Sequence, residues 1–556
     1  MKEKLKIGVL VDSFQIPSWQ FQVLDELQDS EYANIVFVVK NEFKPLRREE
    51  HRRFLRYMVL KSLEKADSII FKTEKDYSQE KDLSGVLKDV AVICSNNGKP
   101  TDYGFFNENM IAEIKKYRPD IILKFSDNVL KGSILDIPKY GIWEYSIDHQ
   151  KDEDGMTAGF REVVTNNTFT ESRLGMLKKD GQGSQAIFSS RESTCPYSIH
   201  ITRNRLFWRT ALFVPRVING IYKHGEEYFD SLINRYADSE PNDENPAKVK
   251  PFLPVGKSIL NYFRIAAWYM QKKIFYSDAF DWQLLFHIKN GENNFPGDFA
   301  NFKKLLAPKD RFWADPFVVK EDGKYFVFVE EYIYSKNKAH IAVLKLDKNG
   351  SLLSNEKIIG NPYHMSYPFV FKMGVDYYMI PETSKNRTID LYKCLSFPNK
   401  WVFSMTLMRN ISAADTTLFY HNHLYWLFTA VDQTDNVSGC STELFLFFTK
   451  DIFSACWKSH PCNPVVSDAT KARPAGKLFI HKGGIYRPSQ NCSGLYGNSF
   501  NLNRITRLDE NAYNEVTVQV VEPSWDKKLK GTHTYNSDKD FIIIDSYSFR
   551  KRISIN

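Results

Sequence analysis

Four acidic residues of the C-terminal half lie at the ends of apolar segments, where a side chain can reach a ligand: Asp315, Glu331, Glu382 and Asp415. Five other polar residues occupy comparable positions: His364, Tyr367, Arg473, Gln490 and His533. Two carboxylates that face one bond can hydrolyse or transfer a glycosyl group, and an arginine can hold a phosphate or carboxylate with two hydrogen bonds. The four acids are therefore candidate catalytic groups, and the other five are candidate substrate ligands.

The segments that carry these residues are copies of one pattern. RFWADPFVV (311–319) is followed by a turn and a second aromatic strand, and four further copies begin near Ser366, Asp415, Arg473 and Thr532, at a spacing of roughly 50 to 60 residues. Repeats of this kind predict a β-propeller with five blades. Since the first strand of each blade lines the central channel, we expect the polar residues of the copies to converge on one mouth.

Closure of this ring is predicted to need a strand from outside the repeats. WQLLFHIK (282–289) precedes the first copy, and the chain ends soon after the fifth. We expect this early strand to complete the last blade, which would remove the exposed sheet edges. A structural alternative remains for Asp315 and Asp415, because an acid at a strand entrance commonly hydrogen-bonds to nearby backbone.

The N-terminal part has a different pattern. KIGVLV (6–11), NIVFVV (34–39), SIIFKT (68–73) and VAVICS (90–95) are apolar segments separated by helical or loop segments. This alternation predicts an α/β domain with a parallel sheet covered on both faces. The sequence therefore predicts a multidomain protein: an α/β domain over 1–195, a helical connector with a proline-rich linker over 196–280, and an all-β propeller over 281–556.

Composition restricts which binding partners and which cellular compartment we expect. The chain has 556 residues, too many for a single core. Its net charge of +8 is spread without a dense basic stripe, which argues against nucleic acid and weakly favours an acidic partner such as a sugar nucleotide or an anionic lipid surface. The seven cysteines form no CxxC pair, so no metal site is predicted. The N-terminus lacks a signal-peptide pattern, and we expect a cytoplasmic protein.

One basic segment is a candidate for contact with a membrane. SILNYFRIAAWYMQKKIFY (258–276) is apolar on most faces of a predicted helix and carries Arg264, Lys272 and Lys273. A basic amphipathic helix can rest on an anionic membrane, here the inner face. Packing of the same helix between the two domains is the alternative.

KYRPDIILKFSDNVLKGSILDIPKYGIWEYS (116–146) resembles the segment of folate-dependent formyltransferases that leads to their catalytic loop. That family carries an asparagine, a histidine two residues later, and an aspartate before a glycine about 35 residues on. Here Glu144, Ser146 and Gln182 stand at those places, so the resemblance implies the formyltransferase-like fold with a degenerate site. Asp148 and His149, or Asp180, are candidate substitutes, in which case the cofactor would be 10-formyltetrahydrofolate.

The propeller segment is similar to the N-terminal domain of plant glucosamine inositolphosphorylceramide transferases. The matching pieces include FWADPFVV (312–319), SYPFVF (366–371), DTTLFYHNHLYWLF (415–428) and GGIYRPSQNCSGLYGNSF (483–500). It also resembles five-bladed glycoside hydrolases, whose first blade carries an Asp in a similar Asp-Pro context. The resemblance implies glycan or glycolipid chemistry and assigns no catalytic residue.

Three functions follow as hypotheses. The first is a transferase of cell-surface glycan or glycolipid biosynthesis with a sugar-binding pocket at the propeller mouth. The second is a non-catalytic glycan-binding or scaffold protein. The third is a folate-dependent sugar N-formyltransferase with a substituted triad.

Overall fold

The structure is a computed structural model that describes residues 2–40, 51–94, 106–147, 158–181, 183–237, 255–289, 299–454 and 456–551. The chain divides into two compact units, Met1–Phe263 and Arg264–Asn556, called unit 1 and unit 2 below. Among the described helices, none is long and apolar enough to cross a membrane.

Strands and helices alternate through the first part of unit 1. The described strands are β1 (Leu5–Val11), β2 (Gln15–Pro17), β3 (Ala33–Lys40), β4 (Glu80–Asp82), β5 (Ala91–Cys94), β6 (Ile121–Lys124), β7 (Ile142–Ile147), β8 (Phe169–Leu177) and β9 (Ser184–Ser193). The helices are α1 (Ser18–Asp29), α2 (His51–Ile70), α3 (Glu108–Tyr117), α4 (Phe160–Thr165), α5 (Ile199–Ala211), α6 (Phe213–His224) and α7 (Glu226–Ala237).

Seven of these strands form one mixed sheet in the order β5-β3-β1-β6-β7-β8-β9. The first five are parallel to one another, as the alternation of strands and helices predicts. The last two run antiparallel, so the prediction of a wholly parallel sheet is corrected. The turn between β8 and β9 contains Gly181 and Gly183 with positive φ, and a tight turn of this kind joins antiparallel strands.

The strand predicted over 68–73 is not formed, because α2 continues to Ile70. The helix places Asp67 in the interior, where its carboxylate accepts hydrogen bonds from Ser198 Oγ (2.9 Å), the His200 backbone amide (2.6 Å) and Tyr262 Oη (2.8 Å). Asp67 therefore helps to cap the N-terminus of α5. Ile69 and Ile70, which suggested a strand, are exposed on the last turn of α2.

The segment predicted as a helical connector contains α5, α6 and α7, all in unit 1, and α8 (Val255–Phe275), which crosses into unit 2. Two of its arginines are internal: Arg203 lies 2.8 Å from Glu64, and Arg209 lies 3.4 Å from Glu192. These arginines thus pair with acids inside unit 1. The proline-rich linker falls largely in 238–254, outside the described residues.

Unit 2 consists of β-strands arranged as five sheets, called blades I to V. In chain order the strands are β10 (Tyr276–Ile288), β11 (Lys303–Leu305), β12 (Arg311–Glu321), β13 (Lys324–Ile333), β14 (Lys338–Leu346), β15 (Leu352–Ile359), β16 (Ser366–Met373), β17 (Asp376–Glu382), β18 (Thr388–Ser396), β19 (Lys400–Arg409), β20 (Ala413–His421), β21 (Leu424–Val431), β22 (Glu443–Thr449), β23 (Lys458–Ser459), β24 (Val466–Ser467), β25 (Phe479–His481), β26 (Gly484–Asn491), β27 (Ser499–Leu508), β28 (Tyr513–Val521), β29 (Tyr535–Asp538) and β30 (Phe541–Lys551).

Blades I to IV are each continuous in sequence: β12–β15, β16–β19, β20–β24 and β25–β28. Blade V combines both ends of the unit in the order β29-β30-β10-β11. The antiparallel pairing of β10 with β30 confirms the prediction that an early strand completes the last blade. The predicted five-bladed propeller is therefore confirmed.

Hydrogen bonds connect every pair of neighbouring blades around the ring. They join Asp315 N to Asp545 Oδ2 (3.0 Å, I to V), Tyr367 N to Asp315 Oδ2 (3.1 Å, II to I), Tyr367 Oη to Thr417 Oγ1 (3.0 Å, II to III), Gln490 Nε2 to Asp415 Oδ2 (2.6 Å, IV to III), and Tyr535 N to Ala475 O (2.7 Å, V to IV). The blades IV and V approach so closely that a Cβ on Gly476 would lie 2.1 Å from Tyr535 O.

Aromatic and aliphatic side chains fill the spaces between blades. Trp313 and Phe541 belong to the cluster between blades V and I, and Trp426 belongs to the cluster between blades III and IV. Complete burial of a large apolar side chain stabilises a fold by about 1.5 to 3 kcal/mol. The repeated aromatic strands thus supply the packing that holds the inner strands, and their polar ends, in a fixed ring.

Candidate functional site

Three inner strands share an irregular backbone where the repeats begin. Asp315, Tyr367 and Asp415 all have positive φ, of 50°, 45° and 53°. Each lies where the pairing of the inner strand with its neighbour shifts register, as expected for a β-bulge. Left-handed backbone is costly for a tyrosine, so the ring holds these three residues in one defined orientation at equivalent positions.

Asp315, His533 and Asp545 form a buried triad. His533 Nδ1 lies 2.7 Å from Asp545 Oδ1, and His533 Nε2 lies 3.2 Å from Asp315 Oδ1. The second contact is at ion-pair distance without hydrogen-bond geometry, since Asp315 Oδ1 has no hydrogen-bond partner. The His533 ring also packs on Trp282, with centroids 4.2 Å apart. Blades I and V therefore meet around one imidazole.

Each charged group of this triad stabilises the charged form of its neighbour. Burial alone would lower the pKa of His533, but the carboxylates of Asp545 and Asp315 outweigh it and hold that pKa well above its usual value. Burial likewise opposes ionisation of Asp315, but His533 and Arg473 reverse the effect and lower its pKa. His533 is accordingly an imidazolium held between two carboxylates.

Arg473 forms a second charged cluster at the centre of the propeller. Its Nε lies 2.6 Å from Asp415 Oδ2, and its Nη2 lies 3.4 Å from Glu382 Oε2. Gln490 Nε2 donates to the same Asp415 oxygen at 2.6 Å and to Pro474 O at 2.8 Å. The guanidinium also lies over the ring of Tyr496, 5.2 Å from its centroid. Blades II, III and IV are joined here through one cation.

Tyr496 connects the two charged groups, because its ring lies 5.6 Å from that of His533. The groups also influence each other through charge. Burial, with Glu382 and Asp315, raises the pKa of Asp415 well above its usual value, against the opposing effect of Arg473. The centre of the propeller is therefore a single electrostatic network.

A further acid and histidine lie beside this network. His364 Nε2 is 3.2 Å from Glu330 Oε1, and the side chain of His364 is 31% exposed. Burial raises the pKa of Glu330, although His364 and His533 oppose the rise. Burial would lower the pKa of His364, but its hydrogen bond to Glu330 raises it. Glu330 and His364 therefore form a pair that carries a proton, and the His364 side chain is accessible to solvent.

Glu331, predicted as catalytic, is not among these residues. It pairs with Trp313 across the strands, and its carboxylate is surrounded by Trp313 Nε1 (2.9 Å), His340 Nε2 (2.9 Å) and Asn355 Nδ2 (2.7 Å). Burial opposes ionisation of Glu331, but these contacts outweigh it and lower its pKa to about 2. The Glu331 carboxylate therefore makes its contacts inside blade I, and the neighbouring Glu330 faces the centre of the propeller.

The structure brings seven of the nine predicted residues together, in direct contact or through Tyr496: Asp315, Tyr367, Glu382, Asp415, Arg473, Gln490 and His533. An eighth, His364, pairs with Glu330 beside them. Their chemical roles remain predictions. Glu330, Asp545 and Tyr496 also belong to the site and are not predicted from the sequence. Asp545 carries a detectable signal, since it is one acid inside the apolar strand FIIIDSYS (541–548).

Asp315, His533 and Asp545 are also the one described set of ligand type whose atoms could surround a cation, all within 4.8 Å of one another. However, both nitrogens of His533 face carboxylates. Asp545 Oδ1 already accepts from the backbone amides of His533 (3.2 Å) and Thr534 (3.0 Å). A metal ligand must offer a free lone pair, so this triad fits a proton better than a metal ion.

The predicted formyltransferase positions lie in unit 1. Glu144 and Ser146 are on β7, and Glu144 Oε2 forms an ion pair with Lys124 Nζ at 3.0 Å. Asp180 is exposed in the turn after β8. Gln182, Asp148 and His149 lie outside the described residues. The described part of unit 1 therefore does not bring a catalytic constellation together at these positions.

Comparison with known proteins places unit 2 beside one group of enzymes. Residues 302–547 match the family described as glucosamine inositolphosphorylceramide transferase 1, N-terminal. The transferase of that name from Oryza sativa subsp. japonica is 33% identical over 228 residues, which are 40% of this chain and 30% of that protein. The Arabidopsis thaliana protein is 27% identical over 240 residues, 43% of this chain and 30% of its own length. This match confirms the resemblance predicted for the propeller.

The chain spans less than a third of the length of these plant relatives. Among solved structures, a family 117 glycoside hydrolase from Zobellia galactanivorans aligns with a TM-score of 0.32 and 10% identity, over 48% of this chain and 90% of that one. Nothing about activity follows from so distant an alignment. The comparisons do not support the formyltransferase resemblance of residues 1–195.

Proposed function

We propose that this protein is a transferase of glycolipid or cell-surface glycan biosynthesis that binds a sugar at the mouth of unit 2. The observation that carries the proposal is the network of Asp315, His533, Asp415, Arg473 and Glu382. It is built at the centre of a ring whose sequence matches the transferase family. Fixed carboxylate and guanidinium groups are suited to sugar hydroxyls and phosphates.

In this proposal the more open residues perform the chemistry. Glycosyl transfer needs a group that protonates the leaving oxygen and a base that takes the proton of the acceptor hydroxyl. His364, with its raised pKa and exposed side, is the proposed acid, and Glu382, with a 13% exposed side chain, is the proposed base. Arg473 would hold an anionic leaving group. Asp315 and Asp415 would position His533 and Arg473.

Glycan binding without catalysis is the second candidate, and one observation favours it. Asp315 and Asp415 are 4% and 2% exposed, and both are already engaged by cations or amides. A pair of free carboxylates facing one bond, as in glycosidases, is therefore not available from these two residues. The same network could hold a sugar without transferring it.

The formyl-transfer hypothesis gains no support from the described residues. Glu144, at the place of the family's asparagine, is neutralised by Lys124. A carboxylate in an ion pair offers no donor to the formyl oxygen. Titration of the protein with 10-formyltetrahydrofolate by calorimetry tests this hypothesis directly, and saturable binding would restore it.

A glycan array and a transfer assay test the proposal together. The wild type should bind sugar-containing ligands, and incubation with nucleotide sugars and glycolipids should yield a heavier glycolipid by mass spectrometry. Arg473→Met should weaken glycan binding about 10- to 100-fold, because a charge-assisted hydrogen bond contributes about 1.5 to 3 kcal/mol. Glu382→Gln should abolish the product and retain binding.

Matched controls are Arg507→Met and Glu321→Gln, whose side chains are partly exposed and belong to surface ion pairs. Binding without product in the wild type would favour the non-catalytic candidate. Absence of any bound glycan, or equal behaviour of the Arg473 and Arg507 variants, would overturn both.

We also propose that the protein works at the cytoplasmic face of a membrane, through α8. This helix contains no acidic residue and carries Lys257, Arg264, Lys272 and Lys273. Five of its large apolar side chains are at least 49% exposed: Leu260, Phe263, Met270, Ile274 and Phe275. An apolar face with basic residues beside it favours an anionic lipid surface.

A further inference from the structure

A cavity of about 480 Å³ lies in unit 2 between blades II and III. Its polar wall comes from the ends of the strands of blade II, with Arg387 and Arg409, and from the loop after β21. Its apolar wall includes Ile411, Phe445 and Phe447. The cavity is therefore a mixed polar and apolar site, formed by residues that the central network does not use.

The two arginines are available to a ligand. In the described part of the chain, neither guanidinium forms a hydrogen bond or an ion pair, and both residues are exposed at the cavity. They are close along the sheet, since Thr388, the neighbour of Arg387, pairs with Arg409. Two guanidiniums that line one cavity can bind the oxygens of one phosphate.

The acids of the cavity do not neutralise this pair directly. The Asp432 carboxylate accepts hydrogen bonds from Thr434 N (2.9 Å), Thr434 Oγ1 (2.6 Å) and Asn436 N (2.6 Å), all in its own loop. Asp435 also lines the cavity. Carboxylates and amides beside arginines are the usual acceptors and donors for sugar hydroxyls, so the lining suits a sugar that carries an anion.

The cavity is close to the mouth. Ser412 lines it, and Asp415 of the central network follows three residues later. Three residues of extended chain span at most about 10 Å. Ser412 also accepts a hydrogen bond from the Cys440 thiol through its backbone oxygen at 3.4 Å. One ligand of the size of a short glycan could occupy both places.

We infer that this cavity is a subsite for the phosphate of a phosphorylated sugar, held by Arg387 and Arg409. The inference deepens the proposed function and rests on it for the sugar that would occupy the mouth. The phosphate would bind between the arginines while the adjoining sugar ring faces Asn410 and Asp435.

Calorimetric titration of the full chain with glucose 1-phosphate, glucose and glucuronate tests the subsite. We expect glucose 1-phosphate to bind more tightly than glucose, and the double variant Arg387→Ala/Arg409→Ala to lose about 100-fold in affinity for it, as expected when charge-assisted hydrogen bonds are removed. The control Arg504→Ala/Arg507→Ala removes two exposed arginines of β27 and should bind as the wild type does.

Each other result is decisive. Equal affinity for glucose and glucose 1-phosphate, or unchanged binding in the double variant, would overturn the subsite. Glucuronate binding as tightly as glucose 1-phosphate would overturn the assignment to phosphate in favour of a sugar carboxylate. The subsite and the function proposed at the mouth fail separately. Tight binding of glucose 1-phosphate that is lost in Arg387→Ala/Arg409→Ala, together with no bound glycan and no transfer product in the wild type, would keep the subsite and overturn the function at the mouth. Glycan binding by the wild type with glucose 1-phosphate bound no more tightly than glucose would overturn the subsite alone.

Discussion

Replacing Asp545 by alanine should destabilise the propeller more than any change at its surface. Asp545 is fully buried, and its two oxygens accept hydrogen bonds from the backbone amides of Asp315, His533 and Thr534. It also forms the 2.7 Å contact with His533 Nδ1. Asp545→Ala leaves three buried amides and one imidazolium without an acceptor.

The magnitude follows from these contacts. An unsatisfied buried donor costs about 1 to 3 kcal/mol, and removal of one member of a buried ion pair costs about 3 to 5 kcal/mol. We therefore expect Asp545→Ala to lower the free energy of unfolding by about 6 kcal/mol or more, against a typical total of about 5 to 15 kcal/mol. Asp545→Asn keeps one oxygen acceptor and should cost about 3 kcal/mol.

Thermal unfolding followed by near-ultraviolet circular dichroism measures this effect. For a domain of this size, a loss of 1 kcal/mol lowers Tm by about 2 °C, so Asp545→Ala should lower Tm by about 12 °C or more, or prevent folding. The control is Asp376→Ala, whose side chain is 40% exposed and pairs with Lys393 at 2.7 Å; an exposed pair contributes at most about 1 kcal/mol. If Asp545→Asn and Asp376→Ala lower Tm equally, the claim that the triad holds blades I and V together is wrong.

Three further outcomes follow from the structure. Glu331 has a pKa of about 2 in the folded protein, below its usual 4.5, so its stabilisation is complete above pH 4.5 and is lost as the pH falls towards 2. Denaturant unfolding should therefore show a smaller loss of stability between pH 4.5 and 2 in Glu331→Gln than in the wild type, and equal losses would contradict this. Arg487→Lys should lower the free energy of unfolding by about 3 kcal/mol, because the buried guanidinium contacts both oxygens of Glu515 at 2.8 and 2.7 Å. In the same chemical unfolding experiment, the surface control Arg507→Lys should lower it by less than about 1 kcal/mol. The protein should sediment with vesicles that contain phosphatidylserine and not with phosphatidylcholine vesicles; Phe263→Ser/Ile274→Ser should weaken this binding about 10-fold or more, and an unchanged bound fraction would rule out α8 as the contact.

The repeated pattern of aromatic strands made the architecture of unit 2 predictable. Each copy begins with a polar residue and continues into an apolar strand, so the five blades and the convergence on the centre follow from periodicity. WQLLFHIK (282–289) could be assigned to the last blade because a closed ring leaves no unpaired edge. These inferences depend on patterns that extend over many residues.

The choice between Glu330 and Glu331 could not be made in this way. Side chains alternate between the two faces of a strand, so a shift of one residue exchanges the interior for the centre. The bulge at Asp315 sets that register, and it depends on a positive φ that the sequence does not reveal. A site built on irregular backbone is thus less predictable than the regular strands around it.

The strand expected at 68–73 failed for another reason. Ile69 and Ile70 resemble the start of a buried strand, but Asp67 is held by Ser198 and the amide of His200, more than 130 residues away. Such a tertiary contact overrides local preference, and the sequence around Asp67 carries no sign of it.

The composite make-up of blade V affects how this domain can be studied in isolation. The family match begins at residue 302, downstream of β10 (Tyr276–Ile288). A fragment cut at that boundary would remove β10 and leave the backbone N–H and C=O groups on that edge of β30 unpaired. Such an edge recruits strands from other molecules, so the truncated propeller should form oligomers or aggregates, and a soluble version must start before Tyr276.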